Sequence, residues 1–138
     1  MTRLSLARPA VDAGILSEES VRDQLSAAEE LLYVGHKEPA AVAAGAALEG
    51  ALRFGAAQMA GPTASAGALL EALHADGAID AEEHEILIDA LEARDRLVHG
   101  YTPEPAHATE PERICLILQV AVRLLEPPVP ATAAAGRV

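Results

Sequence analysis

Positive charge, aromatic rings and cysteine are all scarce in this chain. Of its 138 residues, 21 are acidic and only 10 are lysine or arginine, giving a formal net charge of -11. That balance opposes broad electrostatic attraction to nucleic acid or to anionic membrane. Any nucleic-acid chemistry would need a local basic site or charge borrowed from a partner. Only Tyr33, Phe54 and Tyr101 are aromatic, so rings cannot fill the core. Cys115 is the single cysteine, which excludes an intramolecular disulfide and suits a reducing cytoplasm. No stretch approaches the roughly 18 apolar residues of a membrane span. The N-terminal "MTRLSLARPAVDAG" lacks the apolar run of a secretory signal. These absences lead to the expectation of a cytoplasmic protein that does not enter a membrane.

What is abundant is alanine and leucine, the best helix formers, while β-branched runs are few. The expected fold is all-α, with small side chains letting helices approach closely. The length suits one compact domain. Residues 1–15, with Pro9, Gly14 and no clear periodicity, read as a flexible arm. Residues 16–126 carry the helical pattern, and 127–138, rich in proline and alanine with no amphipathic face, read as a disordered tail.

Within the domain, "LSEESVRDQLSAAEELLYVG" offers Ser17 as a cap, places Val21, Leu25, Ala28 and Leu32 on one face, and stops at Gly35. A second helix, with Pro39 in its first turn, is expected to run to about Met59. Its Gly45, Gly50 and Gly55 suit close passage of another backbone. Gly61 and Pro62 break the chain before a shorter helix from about Ala64 to His74. Asp80 and Glu83 form a capping-box pattern for the next helix. That helix has Ile86, Ala90, Ala93 and Leu97 on one face and Leu87, Leu91, Arg94 and Val98 on a neighbouring stripe. Thr109 and Glu112, with Pro111, repeat the capping-box pattern ahead of "RICLILQVAVRLL", which is apolar on nearly all sides and suits burial in a bundle or a dimer. The short loops favour an antiparallel bundle of four longer helices plus a short one.

Several chemical motifs fail on spacing. "HEILI" at His84 lacks the second histidine of a zinc-protease helix. His36, His74, His84 and His107 are scattered without metal-ligand spacing. "DGAIDAEEHE" does not match a calcium loop. Glu49, set among alanines, reads either as an inward polar residue near a site or as an exposed glutamate. The stretch that survives is "RDRLVHGY", Arg94 to Tyr101. Its plain reading is helix termination, with basic residues complementing the helix dipole and Gly100 just past the end.

Arg94, His99 and Tyr101 also stand as R-x-x-x-x-H-x-Y, with the polar Asp95 directly after the arginine. This resembles the signature of the HEPN superfamily of helical-bundle proteins, in its HepT-like form. The resemblance implies metal-independent, cofactor-free RNA cleavage by a toxin or defence component. It also implies a possible nucleotidyltransferase antitoxin that attaches adenylate to Tyr101. The physical needs of such cleavage can be stated separately. A ribose 2′-hydroxyl attacking its neighbouring phosphate needs a proton acceptor, a donor for the leaving oxygen, and positive charge at the phosphorane. Histidine exchanges protons near neutral pH, and arginine offers a planar fork to phosphate oxygens. His99 is therefore the expected general acid/base and Arg94 the phosphate stabiliser, with Asp95 orienting a site residue and Arg96 holding adjoining phosphate. Positions five apart on a helix differ by about 140° around its axis. Arg94 and His99 therefore converge only if the helix unwinds at His99 or if a homodimer assembles a composite cleft. The runner-up is a non-catalytic HEPN module that dimerises or binds a partner, and the plainest alternative is a helical protein in which the motif is only a cap.

Overall fold

A computed structural model describes residues 17–55 and 64–126. The expected arm over 1–15 and the tail over 127–138 lie outside the described residues, as does any extension of the second helix toward Met59. Among the described residues there are five α-helices and no strand: α1 (Glu18–Tyr33), α2 (Lys37–Gly55), α3 (Ala66–Asp76), α4 (Ala81–Val98) and α5 (Pro111–Leu125). A short 3₁₀ turn, Ala106–Thr109, precedes α5. The all-α expectation holds. No helix among the described residues is long and apolar enough to cross a membrane.

Helix α2 is the centre of the fold, packing against each of the other four helices. Its buried surface is mostly alanine, from Ala40 through Ala44 and Ala47 to Ala51, with Leu48 and Leu52 as the larger pieces. Small residues over several faces let neighbours approach from more than one side. Helix α1 supplies Val21, Leu25 and Ala28, α3 supplies Leu69, Leu70 and Leu73, and α5 supplies Ile114, Ile117, Leu118, Val120 and Ala121. The apolar pattern of α5 is one-sided after all, since Cys115 and Gln119 are exposed.

The glycines of α2 show two kinds of close approach. A Cβ built at Gly55 would lie 3.0 Å from the backbone carbonyl oxygen of Leu124, so a neighbouring backbone does pass there. At Gly45 the neighbour is instead a side chain: the same Cβ would lie 3.0 Å from both Cβ and Cγ of Arg94.

The local signals at helix starts are mostly as the sequence suggests. The Ser20 amide donates to the Ser17 hydroxyl at 3.0 Å. The Asp80 box closes both ways, with the Glu83 amide donating to Asp80 Oδ1 at 2.7 Å and the Asp80 amide donating to Glu83 Oε1 at 3.0 Å. Helix α3 begins two residues later than expected because Ser65 caps it, its hydroxyl accepting from the Ala68 amide. The second expected box does not form. Thr109 belongs to the 3₁₀ turn and donates its hydroxyl to the Ala106 carbonyl, leaving Glu110 as an N-cap without a side-chain bond.

Two arginines of α5 fix its orientation to α4. Arg113 reaches Asp89 at 3.3 Å, while Arg123 reaches Glu83 at 3.4 Å and the Ala78 carbonyl at 3.3 Å.

Candidate functional site

The last turn of α4 ends in a complete glycine-terminated motif. His99 is the C-cap, and Gly100 follows at φ +85°, a conformation glycine adopts without a steric penalty. The Gly100 amide donates to the Leu97 carbonyl and the Tyr101 amide to the Arg96 carbonyl, closing two otherwise open helix-end acceptors. An apolar contact often accompanies this motif. Here the Arg96 guanidinium sits over the Tyr101 ring, 5.3 Å from its centroid, and Arg96 Nε donates to the Thr102 carbonyl at 2.8 Å. The same backbone bonding ends α1 at Gly35 and α3 at Gly77. Gly100 by itself therefore marks a helix end, as two other glycines in this chain do.

Arg94 and His99 leave the helix in different directions. The Arg94 stem crosses the face of Gly45, and its Nη2 donates to Glu49 Oε1 at 2.5 Å. Arg53 lies on the other oxygen of the same carboxylate, with Nη2 to Oε2 at 3.7 Å. The side chains of Arg94 and Glu49 are 25% and 34% exposed, so the pair is screened but not sealed. Two guanidiniums on one carboxylate leave one net positive charge at this point of an acidic molecule. Arg94 Nε is buried and has no hydrogen-bond partner.

The His99 imidazole, by contrast, is 65% exposed and folds back on its own helix. Its Nδ1 stands 2.7 Å from the Asp95 carbonyl oxygen, with Asp95 Oδ1 at 3.7 Å. A carbonyl can only accept, so Nδ1 carries the hydrogen in this bond. In the neutral ring that leaves the Nε2 lone pair open. Asp95 thus orients the ring through its backbone more closely than through its carboxylate. Tyr101 and Val98, on either side of His99, are 62% and 55% exposed.

Arg94, Asp95 and Arg96 also line an open groove of about 1510 Å³ bounded by α2, α3, α4 and the loop before the 3₁₀ turn. His99 and Tyr101 are not among its lining residues. Within one chain, then, the fold gathers Arg94, Asp95, Arg96 and Glu49 around the groove and sets His99 and Tyr101 at the helix tip. Sequence spacing could not place Glu49 beside Arg94, because their bond joins two helices across 45 residues, and Arg53 joins the group only through the same Glu49 carboxylate. The only hint was an acid set among alanines. Two of the scattered histidines do meet: His74 and His84 stack with ring centroids 4.8 Å apart. Among the described residues, no group of three or more histidine, cysteine or acidic side chains is arranged to hold a metal ion.

Comparison with protein-family models, with curated proteins and with solved structures returns no match for this chain.

Proposed function

We propose that this chain is a HEPN-type, metal-independent endoribonuclease, a toxin or defence component that acts on RNA as a homodimer. The observation that carries this reading is the state of His99. Its Nδ1–H is committed to the Asp95 carbonyl, so the neutral ring offers a basic Nε2 at an exposed helix tip. That is the form needed to take a proton from a ribose 2′-hydroxyl. Attack of that oxygen on the adjacent phosphate gives a cyclic phosphate and releases the 5′-oxygen of the next nucleotide. The leaving oxygen needs a proton from a second group, for which the His99 of a second copy is suited. Arg94 supplies positive charge at the phosphorane, and Glu49 positions it from α2. Arg96 holds adjoining phosphate.

The homodimer is supported by the divergence of Arg94 and His99 within one chain and by exposed Val98, which a second copy would cover. An antiparallel bundle accords with the ion pairs between α4 and α5, whose positions advance in opposite chain directions. Tyr101 is exposed enough for a nucleotidyltransferase antitoxin to reach. Adenylate there would place negative charge beside the motif and compete with RNA phosphate.

A second reading, a non-catalytic HEPN module for dimerisation or partner binding, is favoured by one observation: Arg94 is already engaged by Glu49. Product chemistry separates the two. Wild-type protein incubated with RNA in chelator should leave 2′,3′-cyclic phosphate ends, and a substrate with a 2′-deoxy sugar at the cleaved position should stay intact. RNA left whole would favour the module, and equal cleavage at the deoxy position would rule out attack by the 2′-hydroxyl.

A further inference from the structure

The groove beside Arg94 also carries an apolar wall and an excess of acidic side chains. On its α4 wall, Ile88, Leu91, Glu92 and Asp95 follow one another at i, i+3, i+4 and i+7, so they share one face of the helix. That face is half-buried and apolar at Ile88 and Leu91, then exposed and acidic at Glu92 and Asp95. Rising about 1.5 Å per residue, the acidic pair is displaced from the apolar pair by about 6 Å along the helix. Glu38 on the first turn of α2 and Glu104 in the loop add two more exposed carboxylates to the lining. Neither these two nor Glu92 has a basic side chain within 4 Å among the described residues.

The positive groups facing the same space are largely committed. Arg94 is held by Glu49, and Arg96 by the Thr102 carbonyl and the Tyr101 ring. Lys37 is the remaining cation of the lining. The groove therefore combines an apolar floor with an excess of unpaired carboxylates, on a chain of net charge -11.

We infer that this groove is a docking surface for a cationic, amphipathic segment of a partner protein. The complementary segment presents one or two aliphatic side chains to Ile88 and Leu91, and lysine or arginine about 6 Å further on to Glu92 and Asp95. In a bound helix that separation is about four residues, and in an extended strand about two. This inference goes beyond the ribonuclease reading and does not depend on it. A segment seated here would cover Arg94 and Arg96, and so would compete with phosphate.

The test uses fluorescence anisotropy with a labelled helical peptide carrying leucine and arginine at that spacing. A control peptide has the same composition in scrambled order. Two double variants have the same net charge. One, Glu92→Lys with Glu104→Lys, lies in the groove. The other, Glu19→Lys with Glu30→Lys, lies on exposed positions of α1 outside it. The groove variant should weaken binding of the patterned peptide about tenfold or more at moderate salt, and the α1 variant by no more than about twofold. The scrambled peptide should bind more weakly to wild type and lose little in either variant. Equal losses in both variants would reduce the effect to net charge and overturn the inference, as would wild-type binding indifferent to peptide order. RNA cleavage by the same proteins is a separate readout, so failure of one proposal leaves the other to be judged by itself.

Discussion

Replacing Gly45 with alanine tests the packing that aims Arg94. In the interior of a helix this substitution ordinarily stabilises by about 1 kcal/mol, because glycine loses more backbone freedom on folding. Here the new methyl would meet Arg94 Cβ and Cγ at 3.0 Å and Cδ at 3.2 Å. The Cβ belongs to the α4 backbone frame, so a side-chain rotation cannot relieve that contact. Either α2 and α4 separate by a few tenths of an ångström or the Arg94 stem leaves its place. Overpacking of this kind costs about 1–3 kcal/mol. Set against the propensity gain, the net expectation is a loss of about 1 kcal/mol, or roughly 4 °C in Tm for a domain of this size. Gly67→Ala is the uncrowded control. It lies in the first turn of α3, and its nearest relevant atom is Ser65 Oγ at 3.9 Å, so the added methyl should be neutral to modestly stabilising. Urea unfolding followed by circular dichroism reads both. If Gly45→Ala were as stabilising as Gly67→Ala, Arg94 would not lie across Gly45, and the Glu49–Arg94 geometry would be wrong.

Asp80→Ala should cost about 1 kcal/mol in the same unfolding assay, because it removes the cap acceptor of α4; no change would mean the box is replaced by water. Leu48→Ala, at a fully buried position of the central helix, should cost about 2–5 kcal/mol, and a loss below about 1 kcal/mol would contradict the placement of α2 at the core. Co-expression with any nucleotidyltransferase found encoded beside this chain should add one or more adenylates by intact mass, and Tyr101→Phe should abolish the increase. An increase that survives Tyr101→Phe would remove Tyr101 from that role.

Local features of this fold were legible in the sequence where neighbouring residues decide them. The Asp80–Glu83 box, the Ser17 cap, the stop at Gly100 and the buried faces of α1 and α4 depend on contacts within a few positions. Thr109 was misread for a physical reason of the same range: its hydroxyl is used within the 3₁₀ turn, so it cannot cap α5. The surroundings of Arg94 were not legible. The spacing of Arg94 and His99 foretold that they diverge, but not that Arg94 would be taken up by Glu49 from another helix. A glycine at position 45 likewise suggested a close neighbour without saying that the neighbour is the stem of an arginine. Such pairings depend on how α2 and α4 lie against each other, which no local pattern encodes.

The central claim rests on His99 and Arg94 acting on one phosphate. Its most direct test compares wild type, His99→Ala and Arg94→Ala on end-labelled RNA in chelator, each at matched far-ultraviolet circular dichroism. The account predicts metal-independent cleavage by wild type and a loss of about a hundredfold or more in each variant, the scale of a general acid/base or of an oxyanion-stabilising group. Equal cleavage by all three proteins, or none by wild type, would contradict it.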